Sequence, residues 1–76
     1  MTSVYDELIP KKVLFSIKEI EDIGAIKTNM CKKLIYQNEL EIVKIGRKNY
    51  ISRNELIRYL ESNTVPLLNS NNKKIA

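Results

Sequence analysis

Histidine and tryptophan are absent from this 76-residue chain, and Cys31 is its one cysteine. Without histidine there is no Ser-His-Asp or Cys-His nucleophile. A lone cysteine supplies neither a Cys/His zinc set nor an intramolecular disulfide. Glycine occurs twice, at Gly24 and Gly46, so a glycine-rich loop that cradles phosphate is excluded. No apolar run approaches the roughly 20 residues of a membrane span. The opening residues lack the basic-then-apolar build of an export signal. The expectation is a cytoplasmic protein that binds rather than catalyses, with no catalytic residues, metal, cofactor or small-molecule substrate and no membrane partner.

What is present is a modest core. Hydrophobic residues make up 43% of the chain, too many for wholesale disorder. The length suits one small domain. Three zones are visible: an N-terminal arm over 1–12, a patterned domain over 13–62, and a flexible tail over 63–76. The tail holds one apolar patch, Val65-Pro66-Leu67-Leu68.

The patterned zone opens with Val13-Leu14-Phe15, a strand or a staple. Ser16 and Glu19 then form a capping-box pair, hydroxyl to backbone in one direction and carboxylate to backbone in the other. Ile17, Ile20 and Ile23 share one face of a short helix that Gly24 ends. The spacing predicts a second helix over 28–37. Its apolar arc is Met30, Cys31, Leu34 and Ile35, and Ile26 packs back on Cys31 as a staple. Asn29, Lys32, Lys33 and Tyr36 take the opposite arc, with Thr28 at its edge; one reading of Tyr36 has its ring edge bordering the core while its hydroxyl meets a phosphate. Asn38 stands where a left-handed stop is wanted. Ile42–Ile45 and Tyr50–Ser52 are β-rich, and Gly46-Arg47-Lys48-Asn49 between them reads as the basic tip of a hairpin. A second capping box, Ser52 with Glu55, opens a third helix with Leu56, Ile57 and Leu60 inward. The order is helix, turn, helix, hairpin, helix: mainly α with a small β-hairpin, a winged helix-turn-helix with flexible termini.

Charge follows this organisation. Residues 26–53 hold seven bases and two acids, while the remainder holds six bases and seven acids. A surplus gathered on a second helix and a hairpin attracts phosphate and steers association with a duplex. Asn29, Lys32, Lys33 and Tyr36 are the groove-facing candidates, since Asn pairs with adenine and Lys with guanine or phosphate. Arg47, Lys48 and Asn49 are the wing candidates. Lys27 and Thr28 complete the set at the helix start, Thr28 as a cap or a phosphate contact. The plain alternative for the helix arc is a solvated polar face in a chain rich in Ile, Lys and Asn. Cys31 reads as a small buried hydrophobe.

The same residues resemble the excisionase-type helix-turn-helix family, small MerR-like winged-helix proteins of phages, plasmids and other mobile elements. The resemblance spans about Leu14 to Ser62. It is carried by Phe15-Ser16-Ile17-Lys18-Glu19-Ile20, Leu34-Ile35-Tyr36-Gln37-Asn38-Glu39-Leu40, Val43-Lys44-Ile45-Gly46-Arg47-Lys48, Ile51-Ser52-Arg53-Asn54-Glu55-Leu56 and Tyr59-Leu60. Asn38 replaces a common glycine, Glu41 a frequent proline, and Lys27 a small hydroxyl residue. The resemblance implies double-stranded DNA binding, with the second helix in the major groove and the wing on the backbone or minor groove. It further implies an excisionase, a recombination directionality factor that binds neighbouring sites cooperatively and bends DNA. Its partners would be a site-specific recombinase or further copies of itself, on the nucleoid. The alternatives are a small transcriptional regulator of a mobile element and, from another class, a protein-binding adaptor on the same fold. Single-stranded nucleic acid is a poorer match, because five aromatics offer no stacking platform.

Overall fold

The computed structural model describes residues 4–65. They form four helices and a three-stranded antiparallel sheet, in the order α1 (Val4–Leu8), β1 (Leu14–Ser16), α2 (Ile17–Asp22), α3 (Thr28–Tyr36), β2 (Val43–Ile45), β3 (Lys48–Ser52) and α4 (Arg53–Ser62). From 13 to 62 this is the expected succession of elements, with Leu14–Ser16 resolved as a strand. None of the described helices is long and apolar enough to cross a membrane.

Backbone chemistry sets the boundaries. Ser16 accepts from the Glu19 amide at 3.1 Å while Glu19 accepts from the Ser16 amide at 2.8 Å, a complete capping box that starts α2. Gly24, at φ +82°, ends the same helix: its amide donates to Glu21 O, and the Ala25 amide reaches Ile20 O. Asn38, at φ +62°, closes α3 by the same two bonds, Asn38 to Ile35 O and Glu39 to Leu34 O. Both ends are Schellman motifs, one on glycine and one on the residue that next best tolerates left-handed backbone.

Strand β3 is the middle of the sheet. It pairs with β1 through Phe15 opposite Ile51 and with β2 through Val43 opposite Tyr50. Directly opposed residues share a face, so Phe15 and Ile51 point to the core, joined on that face by Lys44 and Asn49. The core comprises Ile9, Phe15, Ile20, Ile26, Cys31, Leu34, Leu40, Ile51 and Leu56. Burying each large member contributes about 1.5–3 kcal/mol. Ile26 and Cys31, the expected staple pair, both belong to it.

Four expectations need correction. Residues 1–12 were expected as a loosely held arm, yet Val4–Leu8 is helical and Ile9 is core. The cause is Arg53, whose guanidinium donates to Asp6 Oδ1 and to the carbonyls of Asp6, Ile9 and Pro10. The hairpin turn is Gly46-Arg47 alone, because Lys48 and Asn49 pair with Ile45 and Lys44. Gly46 at φ +63° makes so short a turn possible. Ser52 caps α4 by accepting from the Glu55 amide, but the Glu55 carboxylate turns elsewhere, to Arg58 and the Glu41 amide. Met30, placed on the apolar arc by its spacing, is 49% exposed. The tail patch lies outside the described residues beyond Val65, which is exposed.

Candidate nucleic-acid interface

The outward face of α3 is polar for a geometric reason. Cys31 and Leu34 are buried, so residues about half a turn away face solvent. Asn29, Lys32, Lys33 and Tyr36 are all exposed. Tyr36 is 88% exposed and does not border the core, contrary to expectation. Its ring stands free near the end of the helix.

The start of α3 is built in an unexpected way. Lys27 occupies the cap position, exposed and without a side-chain capping bond. The cap comes from α2: Glu21 Oε1 accepts from the Thr28 amide at 2.8 Å and also from the Thr28 hydroxyl. Those two bonds hold the Glu21 carboxyl below its ordinary value, the hydroxyl first and the amide second. Thr28 is thus committed inside the molecule. A helix N-terminus favours negative charge, and here the chain provides its own carboxylate. Helix periodicity gave no sign of this contact, because it runs between two helices.

At the hairpin, Arg47 is at the tip and Lys48 begins β3, both exposed. Asn49 is half-buried on the core-side face, and its Oδ1 is buried with no hydrogen-bond partner. Its side chain is therefore turned inward rather than offered at the tip. Lys44, directly across from it, is exposed and adds a cation to the hairpin.

Ion pairing divides the cations of the described residues into two sets. Lys11, Lys12, Lys18, Arg53 and Arg58 each form a salt bridge with a carboxylate. Lys27, Lys32, Lys33, Lys44, Arg47 and Lys48 are exposed and none of them enters one. The second set falls wholly on α3, its cap and the hairpin. Arg53 leaves the basic cluster, because α1 consumes its guanidinium.

The framework under these side chains is shared. Helix α2 packs against α3, β1 and β3, so the exposed face of α3 and the hairpin are fastened to one body. Among the described residues no group of His, Cys, Asp and Glu is placed to hold a metal ion. Cys31 is fully buried, and burial pushes its thiol above the ordinary value.

Comparison with family models, with curated proteins and with solved structures finds no match to this chain.

Proposed function

We propose that this chain is a winged helix-turn-helix protein that binds double-stranded DNA with sequence preference. The observation that carries the reading is the set of six exposed cations free of salt bridges, all between Lys27 and Lys48. Cations left unpaired in the free protein are ready to displace counterions from a phosphate backbone. In this reading α2 and α3 are the two helices of the motif, and α3 enters the major groove. Asn29, Lys33 and Tyr36 meet base edges, and Lys27 and Lys32 meet phosphate. Arg47 and Lys48, helped by Lys44, grip the adjacent backbone as a wing.

A single module of this size makes few base contacts, so useful specificity comes from several copies or a protein partner. Together with the resemblance to excisionase-type proteins, this favours a recombination directionality factor that binds adjacent sites and bends them. The test is selection of genomic DNA fragments by the purified protein, then a salt titration on the recovered site. Clustered short sites near the end of a mobile element, bound cooperatively, are the expected result. Lys32→Ala and Arg47→Ala then each flatten the salt slope by about one unit. Recovery of a promoter replaces the recombination role with transcriptional regulation. Binding no better than to scrambled DNA at moderate salt overturns the DNA reading and favours the adaptor.

A further inference from the structure

A groove runs between α4 and the segment that follows α3. It is an open cavity of about 890 Å³. Ile35, Leu40, Ile42 and Tyr59 line it, and Glu39 and Glu41 stand beside them. Its one cation, Arg58, is consumed by Glu55, which accepts at 2.7 and 2.6 Å. Glu39 and Glu41 are exposed and form no salt bridge. The groove therefore mixes apolar side chains with polar ones, and its unpaired charge is negative, opposite in sign to α3 and the hairpin. An occupant that fits is an extended peptide with aliphatic side chains and cations but no acid.

We propose that the occupant is the chain's own segment 66–76, folded back onto the groove. Its sequence offers Pro66, Leu67 and Leu68, then Lys73 and Lys74, and no Asp or Glu. Position agrees with chemistry. Ser62, the last residue of α4, and Asn63, its cap, themselves line the groove, so the segment starts three residues from its wall. Eleven residues span up to about 36 Å when extended, ample for Leu67 and Leu68 to meet the lining and the lysines to meet Glu39 and Glu41. A tether this short gives an effective concentration in the millimolar range, which favours the chain's own segment over that of another copy. The inference does not depend on DNA binding.

The test uses the full-length protein labelled with nitrogen-15. Wild type is compared with Leu67→Ser/Leu68→Ser and with Lys73→Glu/Lys74→Glu, which leave the described body unaltered. The expected result is that both variants move the amide resonances of 39–42 and 58–63 and leave those of α2 and β1 in place, equally after tenfold dilution. In the reciprocal variant, Glu39→Lys/Glu41→Lys, the heteronuclear NOE of residues 67 and 68 falls to that of free chain. Changes confined to 63–76 overturn the proposal. Changes that disappear on dilution overturn it in favour of a second copy's segment.

Discussion

Arg53 donates from Nη1 to Asp6 Oδ1 at 2.8 Å, joining the first residue of α4 to a helix 47 residues earlier. Only 15% of the Arg53 side chain is exposed, and three backbone carbonyls accept from its Nε and Nη2. One side chain thus satisfies the end of α1 and the approach to β1 together. Arg53→Ala is expected to lower stability by about 2 kcal/mol, the scale of charge-assisted bonds lost from a mostly buried group. Urea denaturation measures the loss, and hydrogen exchange should rise first in residues 4–12. Arg53→Lys should recover little, because a single ammonium cannot reproduce the fork.

Acid should unfold the protein by a defined route. Arg53 and then Lys11 hold the Asp6 carboxyl below its ordinary value; Lys12 and the Ser16 amide do so for Glu19. Thr28 does so for Glu21, and Arg58 does so for Glu55 against the opposing effect of burial. The unfolded chain therefore binds more protons than the folded one in the carboxylate range. Stability from these groups is complete above the unfolded values and is lost as pH falls below about 4.5. Urea midpoints should be flat near neutrality and drop below that point. In Glu55→Gln the acid drop should be shallower.

Of the described positions with left-handed backbone, Gly24, Asn38 and Gly46, the last two give opposite tests. A Cβ at Gly46 would meet nothing within 4 Å, so Gly46→Ala introduces no clash, only the penalty of φ +63°. That amounts to about 1–2 kcal/mol and should appear as a lower melting temperature. Asn38→Gly should run the other way, gaining some tenths of a kcal/mol or more, since glycine adopts φ +62° without strain. No loss in Gly46→Ala would contradict the turn assignment, and a loss in Asn38→Gly would contradict the Schellman assignment.

These local signals were what the sequence made legible. Ser16 with Glu19, Gly24, and Asn38 act through bonds a few residues long, so spacing alone revealed them. Legibility failed where distant residues competed. Lys48 and Asn49 resemble turn formers, but pairing with Ile45 and Lys44 draws them into β3. Glu55 has the spacing of a capping box, but Arg58 and the Glu41 amide win its carboxylate. Helix α1 has no periodicity to read and depends on Arg53 from the far end of the chain. At the candidate interface, exposure of Asn29, Lys32 and Lys33 followed from the helical arc. Commitment of Thr28 to Glu21 did not, because nothing in either helix alone specifies their contact.

That contact yields a prediction within the DNA reading. The Glu21 carboxylate sits at the start of α3, beside cations assigned to phosphate. Glu21→Gln keeps an acceptor for Thr28 and removes the charge. Duplex affinity at low salt should rise about three- to fivefold, the Coulomb scale for one nearby charge in solvent. Fluorescence anisotropy measures it. Unchanged or weaker binding by a variant of normal stability would place Glu21 away from the duplex.

Cys31 reports on the whole core. It is fully buried and its thiol is pushed toward the unreactive neutral form. Reaction with a disulfide reagent should be at least about a hundredfold slower in the folded protein than in denaturant, limited by global opening. A fast reaction would reveal local opening of α3 instead.

The central place of β3 has a mechanical consequence. This strand is shared by β1, which leads directly into α2, and by β2, which forms the other arm of the hairpin. The base of the hairpin, at Tyr50, is paired on both sides, so it cannot hinge there without breaking its seam with β1; Lys48 and Asn49, further out, pair with β2 alone. With α2 bridging the sheet to α3, the base of the hairpin and α3 are set at one separation, like the jaws of a caliper. Within the DNA reading, a duplex gripped by both jaws must present its two contact points at that separation, and inserting a single base pair between them is expected to weaken the hold of one jaw.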